Sequence, residues 1–187
     1  MALKIAVEPA VEPVSLAEAK LHCRVDVTAD DTLLSALVVA ARRQAERILY
    51  RALVTQTWDL YRDAAPEEAW LEIPYPPLQS VSYVKYTPVS TGVAATYAAA
   101  SYSVDAISEP GRLVLNSGYS WPSDELVVVN GFNVRFVAGY GAAAAVPQTI
   151  RHAILLMVGF WYEFREAVGE VPKGIVDLLT LERMRGF

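Results

Sequence analysis

The chain has 187 residues, is 53% hydrophobic, and carries a formal net charge of −5 with a single cysteine. That length suits one domain, or one domain with an insertion, and the apolar fraction is enough for a packed core and argues against disorder. An acidic chain lacks the broad basic footprint of a general nucleic-acid binder, and a lone cysteine cannot close an intrachain disulfide, which fits a reducing cytosol.

The first residues, Met1–Pro9, lack the basic region and long apolar core of a secretory signal. The lead into the first helix contains prolines. Ser15-Leu-Ala-Glu18 then reads as a capping box, with Ser15 as cap and Glu18 reaching back. A short helix should follow to about Cys23, whose expected role is buried packing. Asp30 or Asp31 caps a longer helix from Thr32 to about Tyr50. Its apolar stripe is Leu33, Leu34, Leu37, Ala41, Ala45 and Ile48, and its other face carries Arg42, Arg43, Glu46 and Arg47.

The period changes at Leu53. Thr55–Arg62 alternates as a half-buried strand should, and Trp70–Pro74 and Ser80–Tyr86 read alike. Between the last two, Pro74-Tyr-Pro-Pro77 forces extended backbone. Further strands are expected at Val93–Ala98, Tyr102–Asp105, Arg112–Leu115 and Glu125–Val137. Asn130-Gly131 inside the last signals a tight turn, and with it a hairpin. Short strands with frequent turns suggest a small antiparallel sheet or barrel.

The most informative stretch is the helix expected from Pro147 to about Glu166. Ile150, Ala153, Ile154, Met157, Phe160, Trp161 and Phe164 share one face. Leu155, Val158 and Tyr162 form a second apolar strip, flanked by Arg151 and Arg165. A helix apolar nearly all round is buried on more than one side. Either another subunit or a β-domain of the same chain covers the second side. The longest apolar run here, Ala153–Tyr162, is about half of the ~20 residues that span a bilayer, so a soluble protein without a membrane partner is expected. After Val171-Pro172-Lys-Gly174, a last short helix runs from Ile175 to about Arg183. The expected fold class is α+β: a helical core of about four helices with an antiparallel β insertion between the second and third. The expected division is 1–52 helical, 53–140 β-rich and 141–187 helical.

No constellation marks an active site. Gly139-Tyr-Gly141-Ala-Ala-Ala144 has the spacing of a dinucleotide fingerprint, but an antiparallel setting is wrong for one, and it reads as a turn needing positive φ. His22 and His152 have no metal-ligand spacing, and no cysteine cluster supports them. Asn116-Ser-Gly-Tyr-Ser120 is not a nucleophile elbow, and Glu67-Glu68 sits in a polar loop. No catalytic residue, metal or cofactor is therefore expected. Arg42, Arg43, Arg47 and Arg51 cluster on or near one helix. They are either a solvated face or the contact for an acidic partner or a DNA-lined channel.

Four stretches together resemble a known family. They are Ser15–Lys20 with Leu21–Asp26; Asp30-Asp31 with Ala40-Ala41-Arg42 and Thr55-Gln-Thr-Trp58; Pro74–Val81; and Ala138–Gly141 with Val146-Pro147 and Trp161–Arg165. In order and spacing the chain resembles the head–tail connector (adaptor, or head-completion) proteins of tailed bacteriophages and prophages. The resemblance implies a structural virion protein, not an enzyme. It implies a homo-oligomeric ring, typically dodecameric, beneath the portal, linking the DNA-filled head to the tail or to a stopper protein. It further implies location in the virion neck and presence in the host cytoplasm during assembly; non-specific contact with packaged DNA is the functional reading of the basic helix face. The ring is expected to dissociate to a monomer in dilute solution. The interface candidates are Arg42, Arg43, Arg47, Arg151, Leu155, Val158, Tyr162 and Arg165, with Met184 and Phe187 in the C-terminal stretch Pro172–Phe187. Two readings from other classes stand beside this one: an enzyme with a dispersed site, and a β-domain module that binds sugar or peptide.

Overall fold

In a computed structural model, residues 1–165 and 170–183 are described. Among them the chain forms β1 (Ala2–Val7), α1 (Leu16–Cys23), α2 (Asp31–Leu49), β2 (Gln56–Arg62), β3 (Trp70–Ile73), β4 (Leu78–Tyr86), β5 (Ala95–Tyr97), β6 (Tyr102–Asp105), β7 (Gly111–Leu115), β8 (Phe132–Ala138), α3 (Gln148–Glu163) and α4 (Lys173–Thr180). The fold is α+β, with all strands but β1 between the second and third helices, as the sequence periods predict. Two compact units result: Met1–Pro9 with Thr55–Gly139, and Ala10–Val54 with Tyr140–Phe187.

The helical unit forms where local signals and apolar stripes agree. Ser15 Oγ accepts from the Glu18 N–H at 3.2 Å, and the Ser15 N–H donates back to Glu18 Oε2 at 2.8 Å, so both arms of the capping box close. Arg24 ends α1 in the left-handed region at φ 56°. The stripe of α2 buries Leu34, Leu37, Val38, Ala41, Ala45 and Leu49. Against it lies α3, which also packs on α1 and α4. Three neighbours within one unit explain why α3 is apolar nearly all round. α4 completes the core with Ile175 and Leu179.

The β unit holds two antiparallel sheets, ordered β1-β2-β8-β4-β5 and β3-β7-β6. β8 is the centre of the larger sheet, and its alternation is strict: Phe132, Val134, Phe136 and Ala138 are buried, while the residues between them are half-buried. Trp58 and Leu60 on β2 share the apolar face, paired with Phe136 and Val134. The smaller sheet contributes Leu71, Ile73, Leu113 and Tyr102. Where β7 begins, the backbone passes so close to β4 that a Cβ at Gly111 would lie 2.6 Å from Leu78 Cβ. Trp121 sits edge-on to Phe132, with ring centroids 5.7 Å apart.

Two local expectations are corrected. The proline-containing lead begins with a strand: β1 pairs with β2, placing Leu3 against Leu60 and Ile5 against Trp58. The segment Glu125–Val137 is not a hairpin. Both neighbours of β8 are taken by β2 and β4, so no edge is left for a preceding strand. Residues 125–127 instead bond to the segment just after β4, through Val89 N–H to Glu125 O at 2.8 Å and Val127 N–H to Thr87 O at 3.0 Å. The turn itself is where Asn130-Gly131 predicts it. Asn130 takes φ 56°, and a Cβ on Gly131 would meet the Val127 carbonyl oxygen at 2.6 Å.

On the opposite face of the large sheet, Asp59 and Arg135 are cross-strand partners and form a bidentate pair at 2.8 and 2.7 Å. The Arg135 bonds hold the Asp59 carboxyl below its usual range, against the opposing effect of burial. A carboxylate with a depressed folded pKa stabilises the fold above its unfolded value of about 3.9, and that contribution disappears as pH falls through the folded value. Asp59→Asn should therefore lower the urea midpoint at pH 7 and narrow the further loss on acidification to pH 3. Tryptophan fluorescence checks this, because Trp58, Trp70 and Trp121 all lie in the β unit. An unchanged pH profile would remove Asp59 from the acid response.

Candidate functional site

The basic cluster on α2 divides into unlike residues. Arg42 is buried, with 1% of its surface exposed. Its Nε donates to Glu12 Oε2 at 2.7 Å and its Nη1 to Glu46 Oε2 at 2.9 Å. Glu46, itself buried, accepts from the Leu53 N–H at 2.9 Å, tying the chain beyond α2 back onto the helix. Arg42 is thus an internal strut and cannot line a channel or meet a partner from this position. The i, i+4 spacing to Glu46 was visible in the sequence; Glu12 was not, because it comes from the lead to α1. Arg43 and Arg47 are exposed. Arg51 is half-buried and its Nε donates to the Glu182 carbonyl at 3.0 Å, and the Arg183 guanidinium lies 5.1 Å from the Tyr50 ring centre.

The second strip of α3 divides in the same way. Val158 is fully buried in the core of the helical unit, so it cannot be the subunit contact expected from its spacing. Helical periodicity gives a residue's direction but not what stands there. Here α1 comes so close that a Cβ on Gly159 would meet the His22 ring at 3.1 Å. Leu155 and Tyr162 are half-buried against the same core. The Tyr162 hydroxyl donates to Asp30 Oδ2 at 2.6 Å, at the start of α2. Arg165 is exposed, with its guanidinium 5.8 Å from the Tyr162 ring centre. Arg151 spans α3 and the start of α1: its Nε donates to the Pro13 carbonyl at 2.9 Å and its Nη2 to Glu18 of the capping box. Met184 and Phe187 lie outside the described residues.

The motifs weighed for chemistry resolve into structure. Gly139 and Gly141 have φ 122° and 112°, as a turn after β8 demands. His22 and His152 are exposed on separate helices. Among the described residues, no three His, Cys, Asp or Glu side chains gather as metal ligands, and no helix is long and apolar enough to cross a membrane.

One surface feature escaped sequence reasoning: a groove of about 470 Å³ between the lead into α1 and the first half of α2. Its walls include Val11, Val14, Leu16, Val38 and Val39, with Ser35 at its edge. Val14 and Val38 are buried, whereas Val11 is 54% exposed. Glu12 also borders the groove, and Ser15 at the same border is bonded to Glu18. The valines of the lead carry no helical period, so nothing in the sequence marks them as a wall.

Residues 13–84 match the family model described as "Phage gp6-like head-tail connector protein". That span runs from the lead into α1 through most of β4. Among curated proteins, none matches the sequence. Three solved structures share the fold along the entire chain. One is the neck of an empty gene transfer agent particle computed with C6 symmetry, at TM-score 0.83 and 22% identity, covering 100% of this chain and 97% of that one. The second is the virion of the native gene transfer agent particle, at TM-score 0.82 and 21% identity with the same coverage. The third is the neck of the native particle computed with C12 symmetry, at TM-score 0.72 and 21% identity, again covering 100% and 97%. In sequence over residues 13–84 this chain is similar to gp6-like head–tail connectors of phages, as its resemblance implied, and in fold over its whole length it is similar to chains of gene transfer agent particles, two of them described as the neck.

Proposed function

We propose that this protein is a structural component of the neck of a tailed phage or phage-like particle, a head–tail connector that works by self-association and docking. One observation carries the reading: the fold matches a chain of the gene transfer agent neck at TM-score 0.83 over 100% of this chain, both units included. The gp6-like match to residues 13–84 supports it independently. The particle is assembled in the host cytoplasm and the protein stays in the virion neck. It forms a ring of twelve copies beneath the portal, with the portal on one side and a tail or stopper protein on the other. Exposed Arg47 and Arg43 make the non-specific contact with packaged DNA; Arg42, buried, is removed from that role. The protein acts by geometry and catalyses no reaction.

The test is electron microscopy of the purified protein, alone and mixed with the portal protein of the same phage or phage-like particle. Rings with twelvefold symmetry, seated on one end of the portal, are expected. Deleting the gene should yield DNA-filled heads without tails. Normal tailed particles from the deletion strain would overturn the connector role.

A further inference from the structure

We propose that the open face of the large sheet in one copy docks on the acidic edge strand β3 of a neighbouring copy. The inference rests on the ring assembly proposed above and goes beyond it by naming the two surfaces that meet. The chain as a whole is acidic, at −5, yet the open face of the large sheet is basic. Lys4, Asp59, Arg135 and Tyr83 form one cross-strand row, and Tyr61, Asn133 and Lys85 form the next. Asp59, 4% exposed, is the single carboxylate on this face, and Arg135 already engages both of its oxygens. Lys4 and Lys85 are therefore in excess. Lys4 is exposed on the outermost strand, and Lys85 Nζ lies 4.4 Å from the Tyr83 ring centre. Of the other basic residues in the β unit, only Arg62 and Arg112 lie off this face.

The matching surface runs along β3, which is an edge strand of the smaller sheet. Glu67, Glu68 and Glu72 are all exposed there, and among the described residues none of the three carboxylates has a hydrogen-bonded or ion-paired partner. Arg112 stands opposite Glu72 on β7, but its guanidinium is bonded to Asp105 at 2.7 Å. Trp70, between Glu68 and Glu72, is 41% exposed. Such an aromatic side chain anchors protein interfaces and seats a cation on its face. A basic face that carries tyrosines and an acidic edge that carries a tryptophan are complementary in charge and in the contacts they can make.

The geometry of the β unit decides that the two surfaces belong to different copies. Trp121 stands edge-on to Phe132, on the apolar face of the large sheet, and its Nε1 donates to the Glu68 carbonyl at 2.7 Å. The lead into β3 therefore lies on the apolar side of the large sheet, whereas Lys4, Arg135 and Lys85 stand on the other. A chain cannot bring its own edge strand to its own open face. Two different surfaces that meet head to tail make a heterologous contact, the kind that closes a ring.

Charge reversal in the full-length chain tests this. One variant carries Lys4→Glu with Lys85→Glu, and the other Glu67→Lys with Glu68→Lys. Circular dichroism and thermal melting check that each folds; Lys85→Glu alone, which leaves Lys4 beside Asp59, replaces the first pair if that pair unfolds the chain. Self-association is followed by sedimentation velocity over a range of concentrations. Each variant alone should associate at least about tenfold more weakly than wild type, because like charges now face each other. Mixed in equal amounts, the two should regain association, since each reversed surface finds its opposite on the other variant and the copies alternate. Separate variants that assemble as wild type does, or a mixture that recovers nothing, would overturn this contact and leave the ring reading intact. Retention of a fluorescent DNA duplex that is lost on reversing the open face, with self-association unchanged, would give that face to DNA and overturn the contact equally. Wild-type protein that stays monomeric at every concentration and on the portal would end the ring reading and this contact with it.

Discussion

Arg42→Met should lower the stability of the helical unit by about 3–5 kcal/mol, the range found when one partner of a buried ion pair is removed. The loss arises from what stays behind. Glu46 is 4% exposed and Glu12 half-buried, and both lose the guanidinium that compensates them in a poorly hydrated site. Glu46 also holds the Leu53 N–H, so the strain spreads to the segment that leaves α2. Arg47→Met, on the exposed face of the same helix, should change stability by under about 0.5 kcal/mol. Urea titration followed by circular dichroism at 222 nm separates the two. Equal, small effects would show that the buried network is not needed. The contrast also reinterprets any charge reversal of the whole cluster: Arg42→Glu would unfold the unit before assembly could be assayed.

Val158→Asp should be more damaging, by more than about 4 kcal/mol, because it sets an unpaired carboxylate among packed apolar side chains. Against a total stability of roughly 5–15 kcal/mol for a whole domain, that is enough to melt the helical unit. The α1, α2 and α4 helices all pack on α3, and each loses its shared neighbour. Val158→Ala leaves only a small cavity and should keep the fold. Loss of helical signal and rapid proteolysis of the Asp variant are the expected readouts. A folded, merely monomeric variant would mean that Val158 faces outward after all.

The sequence was a good guide wherever one local signal decides the outcome. The capping box at Ser15, the period-2 runs of β2 to β8, and the turn at Asn130-Gly131 each formed where those residues demand it. The helical-core-with-insertion reading followed from the same signals. It was a poor guide wherever the outcome depends on which distant segment arrives. β1 is marked as a strand only by Leu3 and Ile5, and that signal means little without β2 beside it. The hairpin before β8 failed because both edges of that strand were already occupied. Arg42 looked like surface because its partner Glu12 lies 30 residues away in sequence. The strip led by Val158 looked like an interface because amphipathicity does not say how many neighbours a helix has. The groove was invisible because concavity is a property of packed elements and has no period.

The helical unit is assembled from two separated stretches of chain, Ala10–Val54 and Tyr140 onward, whereas the β unit needs only residues up to Gly139. Translation proceeds from the N-terminus, so the order of synthesis fixes the order of completion. The β unit has all its strands before α3 exists. At about 5–20 residues per second, α1 and α2 wait roughly 4–17 seconds for the first residues that can cover their stripe. During that interval Leu34, Leu37 and Leu49 have no α3 to bury them, and a nascent chain beside many identical copies is at its most prone to mispairing. An inserted β unit that is already folded shortens this danger. It replaces a long floppy loop with a rigid body whose ends are fixed, and so lowers the entropy lost when α3 finally docks.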